Sequence, residues 1–176
     1  MKVKVIARSP QPGPDPLARF SPAVAGWFRT ALGTPTPAQA LGWPAISAGH
    51  HTLILAPTGS GKTLAAFLWA LDELFARPPE PSTPAVHTLY ISPLKALGYD
   101  IERNLQQPLA GIQAVAKVQG ITLPEVCIGV RTGDTSPSER QRLIRRPPHI
   151  LITTPESLHL LLTSPGPGTR SPACGP

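Results

Sequence analysis

Cysteine is scarce in this chain, which carries only Cys127 and Cys174. Two isolated thiols build neither a disulfide framework nor a metal cluster, so a reducing compartment, the cytoplasm, is the expected location. Long apolar runs are missing too. The longest, residues 64–71, is too short to cross a bilayer, and Lys4 interrupts residues 3–7 before they form a signal-peptide core, so no membrane partner is expected. Acidic residues are few, 10 against 16 Lys and Arg, and the net charge of +6 favours a polyanionic partner. What is abundant is proline, 24 in 176 residues, about three times the usual share. Much of it lies at the ends, which predicts a disordered basic arm over residues 1–18 and a disordered tail over 164–176. Between them, residues 19–163 are enough for one domain with a real core.

The most informative stretch is Leu53-Ile54-Leu55-Ala56-Pro57-Thr58-Gly59-Ser60-Gly61-Lys62-Thr63-Leu64. It reads as an apolar strand over 53–56, a glycine-bearing loop and a helix. Gly59 and Gly61 permit a tight turn that exposes backbone N–H groups beside the positive end of the helix, a cradle for phosphate oxygens. Lys62 is placed to reach the terminal phosphates of a nucleotide, and the Thr63 hydroxyl to ligate Mg²⁺. The spacing follows G-x-x-x-x-G-K-[ST] except at its first position, where Ala56 replaces Gly.

Before the loop, Ser21-Pro22 opens a helix over 20–32, with Val24, Trp27, Phe28 and Leu32 at helical spacing. Thr36-Pro37-Ala38-Gln39 opens another that runs to about Ser47. The Gln39 amide combines donor and acceptor and so matches the edge of adenine, although alone it reads as an ordinary polar residue of a first turn. After the loop, the helix over 62–75 is apolar on nearly every side and is expected to lie buried against a sheet. Strands are predicted over 86–91, 126–130 and 150–153, with a helix after each; Pro108 is expected to divide the first of these helices in two. Strand and helix alternate, so the fold class is α/β with a parallel sheet.

Three of these strands lead into Ser/Thr-Pro helix starts, at Ser92, Ser136 and Thr154. In a parallel α/β sheet such loops share the carboxyl edge, where ligands bind, and each helix N-terminus is a potential acceptor of backbone phosphate. Lys95 and Arg131 add charge there. A Ser/Thr-Pro pair taken singly is simply a good cap.

Five stretches stand in order: Thr36-Pro37-Ala38-Gln39, Ala56 through Thr63, Ser92-Pro93-Leu94-Lys95-Ala96-Leu97, Arg131-Thr132-Gly133-Asp134-Thr135 and Thr153-Thr154-Pro155-Glu156-Ser157-Leu158. Together they resemble the Q motif and motifs I, Ia, Ic and Ib of superfamily 2 DEAD/DEAH-box helicases. The wording is similar to the Lhr (large helicase-related) group, including Gly42-Trp43-Pro44. The resemblance implies a RecA-like, P-loop first motor lobe, a parallel sheet flanked by helices, that binds ATP and Mg²⁺ and grips single-stranded or partly duplex nucleic acid, DNA favoured. It implies that Gln39 contacts adenine, that Thr58, Gly59, Ser60, Gly61, Lys62, Thr63 and Leu64 hold the nucleotide, with Lys62 and Thr63 catalytic, and that Thr63 holds the metal. It places Pro93, Leu94, Lys95, Arg131, Thr132, Gly133, Asp134, Thr154, Pro155 and Glu156 against nucleic acid, and Phe20 near the base.

The pattern departs from the family after residue 163. The Walker B strand ending Asp-Glu-x-His is expected some twenty to thirty residues after Thr154; residues 164–176 instead have Gly or Pro at seven of thirteen positions, which excludes a central strand. The expectation is therefore an incomplete lobe from a truncated or frame-shifted reading frame, without the second lobe, and with hydrolysis lost for want of the metal-binding Asp and the water-positioning Glu. Two alternatives stand beside it: a non-enzymatic module binding ATP and nucleic acid, and a small-molecule P-loop kinase, for which no arginine-bearing lid is evident.

Overall fold

Proline after serine or threonine begins four helices of the computed structural model, because its fixed φ suits the first helical position and its missing N–H would be unpaired there anyway. The structure describes residues 15–78, 85–93 and 95–163, apart from the side chains of 95–97 and 99. The helices are α1 (Pro22–Ala31), α2 (Pro37–Ser47), α3 (Lys62–Ala76), α4 (Lys95–Val118), α5 (Pro137–Arg145) and α6 (Pro155–Thr163). The strands are β1 (Thr88–Ile91), β2 (Ile128–Arg131) and β3 (Ile150–Thr153). Most of the expected arm and all of the expected tail lie outside the described residues. Residues 15–18 do not belong to such an arm: Asp15 caps a 3₁₀ turn, Pro16–Arg19, that buries Leu17 to 2% exposure.

The chain divides into two compact units, Met1–Thr83 with Arg103–Val126 and Pro84–Glu102 with Cys127–Pro176. The first unit concentrates the few aromatic residues. Trp43 is fully buried and meets Phe20 and Phe28 edge-on at 4.8 and 5.5 Å; Phe20 also meets Trp69 at 5.6 Å. Edge-to-face pairs add to the area they bury, so this cluster anchors the unit. Phe20 is consumed by it, which corrects its expected place near a base. Helix α3 packs on α2 within this unit, where a sheet had been expected as its partner, and the Trp43 indole N–H donates to the Ala65 carbonyl at 3.0 Å.

Helix α4 runs unbroken through Pro108, against the expectation of two helices. Its buried stripe of Ile101, Leu105, Leu109, Ile112 and Ala116 keeps helical spacing across the proline. Burial of apolar side chains at about 1.5–3 kcal/mol each outweighs the roughly 3 kcal/mol cost of an interior proline.

Asp72, on α3, is buried and accepts the Ser21 N–H through both oxygens, at 3.1 and 3.2 Å. Burial raises its pKa above the usual carboxylate value despite these hydrogen bonds. A raised native pKa means the native state holds the proton more tightly, so this contribution to stability is full below the unfolded value and is lost as pH climbs through the native one. Asp72→Asn keeps an acceptor and removes the buried charge, so at pH 7 it is expected to unfold no more easily than the parent. Asp72→Ala strands the Ser21 N–H and is expected to cost about 1–3 kcal/mol. Urea unfolding at pH 7 and pH 4 checks both, with the parent gaining on Asp72→Asn as pH falls.

The second unit holds a three-stranded parallel sheet in the order β1-β3-β2. All four residues of β3 are buried, as a central strand requires, and their continuous apolar run Ile150-Leu151-Ile152 is what made it legible. The apolar stretch over 53–56 is not a strand. Among the described residues no backbone hydrogen bond reaches it, and Leu53 and Leu55 are 80% and 94% exposed. A strand exists only through a ladder partner, and the three strands present pair with one another.

Candidate functional site

In the first unit the loop before α3 turns on two left-handed glycines, Gly59 at φ 81° and Gly61 at φ 78°. Gly61 is the N-cap of α3 and supplies no side-chain cap, so the first N–H groups of a fifteen-residue helix are left uncapped beside the loop. The Ser60 hydroxyl is buried there without a partner among the described residues. Lys62 folds over the loop and donates to the Ala56 and Pro57 carbonyls at 2.6 Å each, using two of its three donors. Thr58 and Thr63 are exposed, and Leu64 is half-buried. Uncapped amides, an orphaned hydroxyl and an ammonium with a donor to spare share one short loop, so the residues present fit a nucleotide's phosphates.

Gln39 reaches this loop through a capping box on α2. Its Oε1 accepts the Thr36 N–H at 2.9 Å while its Nε2 donates to the Gly61 carbonyl at 3.4 Å, and the residue is 3% exposed. One donor and one lone pair of its amide remain. Thr36 adds a second tie, its hydroxyl donating to the Ser60 carbonyl at 2.7 Å. The sequence marks Thr36 as a helix start and as the first residue of a motif stretch; its contact with the loop, 24 residues on, has no local signal.

In the second unit the parallel register pairs Thr153 with both Ile91 and Arg131, so the three strands end at one level. The following loops therefore share one sheet edge. Two bonds lace it together: Thr153 Oγ1 donates to the Arg131 carbonyl at 2.7 Å, and the Ser92 N–H to the Thr153 carbonyl at 2.9 Å. Pro93 is exposed at this edge; Leu94 and the side chain of Lys95 lie outside the described residues.

Thr132 and Thr154 were expected to face a ligand, yet both are buried, and their hydroxyls hold the Asp134 and Ser157 N–H groups at 3.3 and 3.4 Å. What the loops present outward is Gly133, Asp134, Pro155 and Glu156. The helix N-termini at α5 and α6 are less open than expected, because Ser136 accepts the Glu139 N–H and Thr154 the Ser157 N–H. Arg131 is half-buried; burial first, and then the charge of Arg140, lowers its pKa. Arg140 itself donates to the Gly133 carbonyl at 2.7 Å. Composition had shown it only as one arginine of a basic helix.

Among the described residues no group of three or more His, Cys, Asp or Glu is placed to hold a metal. No helix among them is long and apolar enough to cross a membrane.

Comparison with known proteins bears on these sites. The DEAD/DEAH box helicase family pattern matches residues 36–171. The Lhr helicase/probable uracil glycosylase of Mycolicibacterium smegmatis is 58% identical over 152 residues, covering 86% of this chain and 10% of the relative. The Lhr helicase/uracil glycosylase of Escherichia coli is 51% identical over 160 residues, again 86% and 10%. The structure of Mycobacterium smegmatis helicase Lhr bound to ssDNA and AMP-PNP superposes with a TM-score of 0.80 at 57% identity, covering 85% of this chain and 19% of that one. The chain thus spans about a tenth of the length of these two relatives, and its described residues have the architecture of a RecA-like helicase lobe. By sequence and by fold, the chain belongs to the DEAD/DEAH box helicase family, in its Lhr group.

Proposed function

We propose that this chain is the ATP-binding part of an ATP-dependent helicase or translocase that acts on single-stranded or partly duplex nucleic acid, DNA favoured, in the cytoplasm. The observation that carries the reading is the Gly59-Ser60-Gly61 turn at the uncapped start of α3, with the buried Ser60 hydroxyl lacking a partner among the described residues and Lys62 next to the turn in the chain. The amides from Thr58 to Leu64 hold the phosphates, Lys62 neutralises them, the Thr63 hydroxyl contributes to Mg²⁺, and the spare donor and lone pair of Gln39 meet adenine. Mg²⁺, when bound, neutralises the charge on the phosphate oxygens. The edge loops face the nucleic acid backbone through Pro93, Leu94 and Lys95, through Arg131, Gly133 and Asp134, and through Pro155 and Glu156, with Thr132 and Thr154 shaping the loops from inside. The mycobacterial Lhr structure, bound to ssDNA and AMP-PNP, supports both halves of the reading.

Asp-Glu-x-His occurs nowhere in these 176 residues. That observation favours a second reading for this chain by itself, in which it binds ATP and nucleic acid without hydrolysis. The chain is expected to bind a labelled ATP analogue with Mg²⁺, to lose about tenfold in affinity as Lys62→Ala, and to show no DNA-stimulated release of phosphate. Absence of nucleotide binding defeats the proposal. Turnover that disappears in Lys62→Ala defeats the view that the missing carboxylates are indispensable.

A further inference from the structure

We infer that Arg140, which lies outside the five motif stretches, joins Arg131 in binding a phosphodiester at the sheet edge; the inference rests on the nucleic-acid reading above. Arg140 opens no ordinary surface stripe. Arg142 and Arg145 on α5 and Arg146 at its end are exposed, whereas Arg140 is half-buried and turned back onto the Gly133 carbonyl at 2.7 Å. That bond seats the Arg140 guanidinium on the edge loop two residues from Arg131, the second cation of the loop, and its charge lowers the Arg131 pKa.

Like charges in proximity cost free energy unless an anion lies between them. Among the described residues neither arginine has a carboxylate partner; the ion pairs found are Arg29 with Asp15 and Arg77 with Glu73. Glu139, next in sequence to Arg140, is exposed and accepts the Ser136 hydroxyl through Oε2 at 3.1 Å, and it makes no ion pair with Arg140. The Arg140 Nε–H, shielded from water, has no partner among the described residues. A guanidinium with unspent donors beside a second cation is suited to phosphate, which it can bind through two parallel hydrogen bonds.

The platform is rigid enough to hold this arrangement. The Thr132 N–H donates to Thr135 Oγ1 at 2.8 Å, the Thr135 N–H returns to the Thr132 carbonyl at 3.3 Å, and Thr153 pins the Arg131 carbonyl at 2.7 Å. Ordering Arg140 in advance lowers the side-chain entropy lost on binding.

The test uses the whole chain and a fluorescent oligothymidylate, titrated across a series of salt concentrations. Arg140→Gln keeps a donor for the Gly133 carbonyl and removes the charge. It is expected to weaken binding about tenfold and to reduce the slope of log affinity against log salt by about 0.7, one phosphate contact on a single strand. Arg140→Lys restores the slope. Arg142→Gln makes the same change in net charge on the exposed face and is expected to leave the slope in place. An unchanged slope in Arg140→Gln, or an equal loss in Arg142→Gln, overturns the inference while leaving the nucleic-acid reading standing. Failure of the unsubstituted chain to bind the oligonucleotide at low salt overturns both.

Discussion

Replacing Trp43 with alanine is expected to lower the unfolding free energy of the first unit by about 3–5 kcal/mol, the range for deleting a fully buried tryptophan. Trp43 is wholly buried, and its ring stands edge-on between Phe20 and Phe28. Domains of this size are stable by only about 5–15 kcal/mol, so the loss is a large fraction of what exists. The consequence reaches the phosphate loop. The indole N–H ties α2 to the Ala65 carbonyl in the first turns of α3, and α2 carries the Gln39 and Thr36 contacts to Gly61 and Ser60. Trp43→Phe separates packing from the hydrogen bond. The Ala65 carbonyl is already used by the helix ladder, so losing the indole donor strands nothing and is expected to cost about 1 kcal/mol beyond the change in volume. Urea unfolding followed by circular dichroism reads both; a loss below about 1 kcal/mol in Trp43→Ala contradicts the assignment of this ring as the anchor.

Gly61→Ala is expected to reduce nucleotide affinity by about a hundredfold, equivalent to roughly 2.7 kcal/mol. Two independent effects lead there. At φ 78° a side chain is strained by about 1–2 kcal/mol. A Cβ at this position also collides with the Gln39 amide, which cannot retreat without breaking the α2 capping box. Either response moves the amides at the start of α3 away from where they converge. The comparison is Gly59→Ala, at φ 81° but with nothing within reach of an added Cβ. It carries the strain without the collision and is expected to lose less. Equal losses in the two variants, measured by titration with Mg²⁺ and a labelled ATP analogue, reject the role given to Gln39.

The helices were legible because their signals are local. Thr36 with Gln39, and Ser136 with Glu139, show capping spacing in the sequence and capping hydrogen bonds in the fold. The phosphate loop was legible for the same reason, since Gly59, Gly61 and Lys62 act within one turn of backbone. Strand β3 declared itself by an unbroken apolar run. Pro108 misled because a local breaker was outweighed by a stripe of buried residues on both sides of it. The run over 53–56 misled because apolar composition can suggest a strand but cannot supply the neighbour that makes one.

Residue order by itself determined the capped helices, the glycine loop that fits phosphate, the excess of positive charge and membership of the helicase family, all consequences of contacts within a few positions or of ordered motifs. Tertiary structure alone decided that Thr36 and Gln39 brace the loop, that Thr132 and Thr154 turn inward while Gly133 and Glu156 stay outside, and that Arg140 is turned back onto the Gly133 carbonyl. Those outcomes depend on which distant segments pack together, and packing is set by the whole balance of burial against chain entropy, which no short window of sequence contains.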